Sequence, residues 1–147
     1  MRIFQLLDLK KGFSLPLWVV ASAKAAAKKL LDLPFDNHEF IKIPNNDDVK
    51  KIKVHSAASI KENNAALAIT FANSGLDLDI TNNLEIWVIA SFVKIENLEN
   101  VSKGIIDLVP GYGVGIDFNT EKICISDFAK EIIEVNLLEL IPEGLKL

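Results

Sequence analysis

The chain has 147 residues, half of them hydrophobic and 24% charged, which fits one globular domain with a real core and excludes a disordered segment. Its net charge of −4, its pI near 5.2 and the lack of a basic tract argue against a nucleic-acid partner. A single cysteine, Cys124, rules out an internal disulfide framework and fits a reducing, cytoplasmic setting.

Residues 1–10, largely apolar but carrying Asp8 and Lys10, are expected to form a short strand. Lys10 and Lys11 then precede an uncharged run from Gly12 to Ala23 ending in Ala21-Ser22-Ala23, the outline of a signal peptide with an A-x-A site. Asp8 in the would-be basic region, Pro16 inside the apolar stretch and an alanine pattern that continues through Ala27 all speak against that reading. No charge-free run reaches the ~18 residues needed to span a membrane, so no membrane partner is expected. Gly12 to Leu17 reads as a turn, because Gly12, Ser14 and Pro16 disfavour regular structure. Trp18 to Leu33 is the strongest helix signal. Val20, Ala23, Ala27, Leu30 and Leu31 recur at three- and four-residue spacing, Lys24, Lys28 and Lys29 fall mostly off that stripe, and Pro34 ends the helix.

Two strands follow, Phe40 to Ile43 and Val49 to His55, joined across Asn45-Asn46-Asp47-Asp48. In the second, Ile52 and Val54 alternate with Lys51, Lys53 and His55, a half-buried pattern. Glu62 to Asn64 is a turn. Ala65 to Ala72 and Leu84 to Ile95 carry few charges and are expected to be long, central strands. Shorter strands are expected at Ile105 to Val109 and Glu121 to Ile125. Asp127 is a candidate cap for a second helix with Phe128, Ile132, Ile133 and Val135 turned inward. Strands outnumber helices and several are hairpin-like, which gives an α+β class: a mixed or antiparallel sheet with an alanine-rich helix packed on it.

The chemistry-bearing patterns are few. Ser74 to Ile86 places Gly75, Asp77, Asp79, Thr81, Asn82 and Asn83 between two apolar runs, a loop able to bind a ligand, cap a helix or simply turn the chain. Its oxygens fall short of a calcium loop, since Glu85 is not at the required terminal spacing, and solvated turn residues are the commoner reading. Gly111-Tyr112-Gly113-Val114-Gly115 can bring backbone N–H groups close to an anion. The following Ile116-Asp117-Phe118 does not start a helix, so alone this element reads as a tight turn or bulge. His38, His55 and Cys124 lack metal-ligand spacing. Cys124, between Ile123 and Ile125, reads as a core thiol and His55 as a strand-surface residue.

Three of these segments, taken in order, resemble the cobalt-precorrin-5B C(1)-methyltransferase family of cobalamin biosynthesis, known as CbiD. Gly12-Phe13-Ser14 followed by Ala21-Ser22-Ala23-Lys24-Ala25-Ala26 is similar to that family's Gly-Phe-Thr-Thr-Gly-Thr-Cys opening and alanine-rich helix, with Lys24 at the helix lysine. Gly75, Asp77, Asp79, Thr81, Leu84, Glu85 and Ile86 stand in register with the family's acidic loop and its Leu-Glu-Ile. Gly111 and Gly113-Val114-Gly115 resemble Gly-Glu-Gly-Val-Gly, and Val135-Asn136 echoes a family Ile-Asn-Pro. The likeness runs over nearly the whole chain and corresponds to the N-terminal domain of a typical member. Departures are concentrated in the loops. Leu15-Pro16-Leu17-Trp18 replaces Thr-Gly-Thr-Cys, Ala72, Asn73, Leu76 and Leu78 replace acidic-loop residues, and Tyr112 replaces a glutamate.

The resemblance implies methyl transfer from S-adenosylmethionine to a cobalt-containing corrin precursor. Lys24, Gly75, Asp77, Asp79, Thr81, Gly111, Gly113 and Gly115 would then be substrate- or cofactor-binding residues, with no protein-bound metal. It also implies a homo-oligomer or a separate chain supplying the absent C-terminal domain. The alternative is a non-catalytic binding or assembly module derived from the same family, in which the apolar Leu15 to Trp18 segment covers a former pocket or makes a subunit contact.

Overall fold

The computed structural model describes residues 14–60, 64–73, 75, 80–96 and 105–147. Helix α1 spans Leu15–Leu30, starting earlier than the sequence suggests. Pro16 lies in its first turn, where a missing N–H costs no hydrogen bond and a fixed φ favours the helix. The expected turn through Leu17 is therefore helical. The helix closes before Pro34. Asp32 adopts a left-handed φ of 53°, Leu33 N–H donates to Lys28 O at 2.9 Å, and Asp32 N–H donates to Lys29 O at 3.2 Å. That pair of bonds is a Schellman closure, and Pro34 follows it rather than causing it.

Strands β1 (His38–Lys42) and β2 (Val49–Lys53) form an antiparallel hairpin, with Phe40 opposite Lys51. Strands β3 (Ser56–Ile60), β4 (Ala65–Phe71) and β5 (Glu85–Ser91) form an antiparallel sheet in that order. Two-residue strands β6 (Val93–Lys94) and β7 (Leu145–Lys146) pair separately. Helix α2 (Asp127–Leu137) runs into a 3-10 turn, Leu138–Leu140. The turns leading into β1, β2, β4 and β5 each hold an asparagine at positive φ: Asn37, Asn45, Asn64 and Asn83. Asparagine tolerates this conformation better than other side-chain-bearing residues, so its placement fixes where the chain reverses. The element content is α+β. Among the described residues no helix is long and apolar enough to cross a membrane.

Helix α1 is the centre of the packing. It lies against β3, β4 and β5, and also against β1, β2 and α2. Leu17, Trp18, Val20, Ala21, Ser22, Lys24, Ala25, Ala26 and Ala27 are all buried, so the expected single stripe is a nearly all-round buried surface. Such a helix is flanked on several sides and needs small residues. Its sheet neighbours are also small: Ala66, Ala68 and Ala90 are buried in the same cluster, and Ile41, Ile52, Val54, Ile132 and Leu137 complete the core.

Several expectations are corrected here. Strand β3 carries no strong strand signal, because Ser56-Ala57-Ala58-Ser59 has low β-propensity, and it forms by pairing with β4. Among the described residues strand β5 is at the edge of its sheet, not central, and the run to Ile95 breaks into β5 and β6. Ile105 to Val109 is irregular, although Asp107 N–H and Leu147 N–H exchange bonds with Leu147 O and Ile105 O. Glu121 to Ile125 makes only an isolated bridge, Ile116 to Ile123. The cap of α2 is Ser126, whose Oγ accepts from Ala129 N–H at 3.2 Å, and Phe128 and Val135 are exposed while Asn136 and Leu137 turn inward. Cys124 is exposed rather than a core thiol, because the short hairpin that carries it is not covered. The expected strand over residues 1–10 lies outside the described residues.

If small side chains set the spacing between α1 and the sheet, Ala68→Leu should overpack it and cost about 1–3 kcal/mol. Ala58→Leu, on the exposed face of β3, should change stability by less than about 0.5 kcal/mol. Urea denaturation of both variants checks this, and equal losses would contradict it.

Candidate functional site

The residues around α1 divide by face. On the sheet side, Ser22 Oγ donates to Thr70 Oγ1 at 2.9 Å, and Thr70 Oγ1 donates to Trp18 O at 3.2 Å. Both hydroxyl residues are fully buried, so the relay satisfies polar groups that would otherwise be costly. It also ties the helix that follows Gly12-Phe13-Ser14 to the strand that leads into the Ser74 to Ile86 loop. Two of the three segments singled out in the sequence are thereby held to one another.

On the opposite side, Lys24 Nζ donates to Phe40 O at 2.8 Å, and Lys28 Nζ pairs with Glu39 Oε2 at 2.7 Å. Glu39 is 1% exposed and its Oε1 has no hydrogen-bond partner among the described residues. Lys24 is also buried, not solvated as its place off the apolar stripe suggests. Burial pushes its pKa below the ordinary lysine range, while the nearby Glu39 carboxylate pulls it back up. Sequence reasoning missed Ser22, Thr70 and Glu39. Their signals are faint: a serine within an alanine run, a threonine within an apolar strand and a glutamate between His38 and Phe40.

Asn136 is fully buried and joins α2 to β1. Lys42 N–H donates to its Oδ1 at 2.8 Å, and its Nδ2 donates to Lys42 O at 2.9 Å and Ile132 O at 2.7 Å. Paired with the backbone of an edge residue through both amide ends, this side chain acts as one more β-bridge. The Val135-Asn136 echo thus falls on a structural clamp.

Among the loop candidates, Asp77 and Asp79 lie outside the described residues, as do Gly12 and Phe13. Gly75 is at φ 74° with its N–H donating to Asn73 Oδ1 at 2.9 Å, a side-chain turn that opens the loop. Thr81 is half-buried, and its carbonyl accepts from Leu84 N–H at 3.1 Å where the loop rejoins β5. Asn83 N–H donates to Ala72 O at 2.7 Å and Ala72 N–H to Leu84 O at 2.8 Å, so the base of the loop is closed.

Gly111, Gly113 and Gly115 lie on a separate exposed ribbon. Val114 N–H donates to Gly111 O at 3.2 Å, and Gly113 has φ 80°, which gives a tight turn. A Cβ added at Gly111 or Gly113 would meet nothing within 4 Å, so these glycines face open space. The ribbon continues as a small hairpin in which Cys124 N–H donates to Gly115 O at 2.9 Å. At its tip, Asp117 Oδ1 accepts from Asn119 N–H, Thr120 N–H and Thr120 Oγ1, and these bonds hold its carboxyl below the usual carboxylate range.

The Lys24 ammonium is committed to Phe40 O, and the glycine ribbon is uncovered. No group of three or more His, Cys, Asp or Glu among the described residues is placed to hold a metal ion. The arrangement fastens α1 to the strand that leads into the acidic loop.

The CbiD family profile matches residues 5–147. The chain is 59% identical over 139 residues to the cobalt-precorrin-5B C(1)-methyltransferase of Prochlorococcus marinus strain MIT 9515, covering 95% of this chain and 37% of that protein. It is 58% identical over 136 residues to the protein of the same name from Prochlorococcus marinus subsp. pastoris strain CCMP1986, covering 92% and 37%. A third, from strain SARG, is 40% identical over 143 residues, covering 93% and 37%. The chain therefore spans little more than a third of the length of these relatives. No solved structure matches it.

Because the Lys24 pKa is lowered by folding, the unfolded chain binds more protons than the folded one between that lowered value and about 10.4. Its contribution to stability should therefore rise with pH across that window and be flat below it. Lys24→Met should remove this rise. Denaturation of both proteins from neutral to alkaline pH checks the sign, and a difference that does not change with pH would contradict it.

Proposed function

This chain belongs to the CbiD family, and we propose from that premise that it acts in cobalamin biosynthesis, in the S-adenosylmethionine-dependent methylation of a cobalt-precorrin. The observation that carries the reading is identity of 59% over 95% of the chain with a protein named for that reaction. The substrate is a corrin-ring small molecule and the setting cytoplasmic. Asp77, Asp79 and Thr81 contact substrate or donor from the loop that Thr70 anchors. Gly75 shapes that loop, and Gly111, Gly113 and Gly115 let backbone N–H groups approach a ligand. Lys24 supplies a positive charge to a peripheral carboxylate only if its bond to Phe40 O is exchanged for one to the ligand. S-adenosylmethionine supplies the methyl group. The chain's own residues bind and orient the acceptor.

A second reading is favoured by two observations. Gly111, Gly113 and Gly115 are exposed and the Lys24 ammonium is bonded to Phe40 O, so the domain serves as a non-catalytic binding or assembly module, or completes its site with a second copy or a further polypeptide. Leu15 to Trp18 contributes little to that reading as a contact surface, since Leu17 and Trp18 are buried in the core.

Isothermal titration with S-adenosylhomocysteine and, separately, with a cobalt-corrinoid distinguishes the two. Saturable binding of either by the wild type, lost in a folded Asp77→Ala/Asp79→Ala variant, is the expected result. Unchanged binding in that variant would remove the site assignment. No binding by the folded wild type would favour the module.

A further inference from the structure

The sheet formed by β3, β4 and β5 has two apolar faces, and among the described residues only one is covered. Facing α1 are Ala66, Ala68 and Thr70 of β4, opposite Ala90, Val88 and Ile86 of β5. The other face carries Leu67, Ile69 and Phe71, with Ile89 opposite Leu67 and Trp87 opposite Ile69. Phe71 is 41% exposed, Trp87 61% and Ile89 67%. The bulkier apolar side chains therefore sit on the open face, and the smaller ones on the covered face. An antiparallel sheet with one solvated face normally alternates apolar with polar residues, whereas strands covered on both sides read as continuous apolar runs. Ala65 to Ala72 and Ile86 to Ala90 are runs of the second kind. One exposed tryptophan needs no explanation, but exposed Phe71, Trp87 and Ile89 beside half-buried Leu67 and Ile69 form a contiguous apolar patch of the kind that meets another polypeptide.

We propose that this outer face is the docking surface for the part of a CbiD polypeptide that lies outside the present chain's match. The inference rests on the family assignment and not on the methyl-transfer reading. The relatives share this domain as only 35–38% of their length, so each carries a larger remainder that must pack somewhere on it. The open face supplies the contact such packing needs: aromatic and β-branched side chains at the centre and, at the margin, Glu85 and His55. Glu85 Oε1 accepts from Trp87 Nε1, and the His55 ring meets Phe71 edge-on at 5.0 Å. The same burial brings added residues close to the strand that leads into the acidic loop.

Hydroxyl-radical footprinting of this chain and of the full-length relative from strain MIT 9515 tests the proposal. The outer-face positions of β4 and β5 should be labelled strongly in this chain and several-fold less at the aligned positions of the relative. Trp87→Lys should leave the melting temperature of this chain nearly unchanged, because a lysine beside Glu85 suits an open face. A lysine at the aligned position of the relative should lower its melting temperature by several degrees. Equal labelling of the two proteins would overturn the proposal. So would protection already present in this chain alone, whether from residues 1–13 or from a second copy detected by light scattering.

Discussion

Burial of α1 on nearly all sides is the constraint on which the rest of the structure depends. A helix packed against a sheet on one side and against a hairpin and a second helix on others has little solvent face to hold its polar residues. The alanines at 21, 25, 26 and 27 answer the steric half of that constraint, together with Ala66, Ala68 and Ala90 across the contact. Dense packing at short range then makes the spacing intolerant of added volume. The electrostatic half is answered by three internal bonds: Ser22 to Thr70, Lys24 to Phe40 O and Lys28 to Glu39. Each joins the helix to a different strand position. Satisfying the buried groups and fixing the relative placement of the elements are thus the same event.

That coupling organises the candidate site. Thr70 lies two residues before Ala72, where the acidic loop leaves β4, and its hydroxyl is held by the first half of α1. On the far side, Asn136 fastens α2 to β1 through the backbone of Lys42. The base of the acidic loop is closed by backbone hydrogen bonds while the glycine ribbon and its hairpin are exposed. The open sheet face offers the place where further polypeptide would dock.

Much of this was legible in the sequence wherever a local signal had a local cause. The alanine-rich helix, the β1–β2 hairpin with Ile52 and Val54 inward, β4, and Ile132 and Ile133 on the inner face of α2 follow from periodicity and turn residues. The family likeness was legible in the spacing of three polar segments. What periodicity did not reveal depends on tertiary pairing. Strand β3 has no strand composition of its own. The edge position of β5 among the described residues is hidden because its outer face is as apolar as a covered one. Lys24 and Glu39 are charged residues buried by mutual arrangement, and no window of sequence distinguishes them from a solvated lysine and glutamate. Asn136 is inward because it replaces a backbone partner, while Phe128 and Val135 are outward despite being apolar.

Native-state hydrogen exchange is the most direct test of a fold centred on α1. The amides of Val20 to Ala27 are expected to exchange slowest in the protein, through global unfolding alone, with those of β4 close behind. Exchange of the α1 amides through local opening, faster than that of the β4 amides, would contradict the central place of the helix.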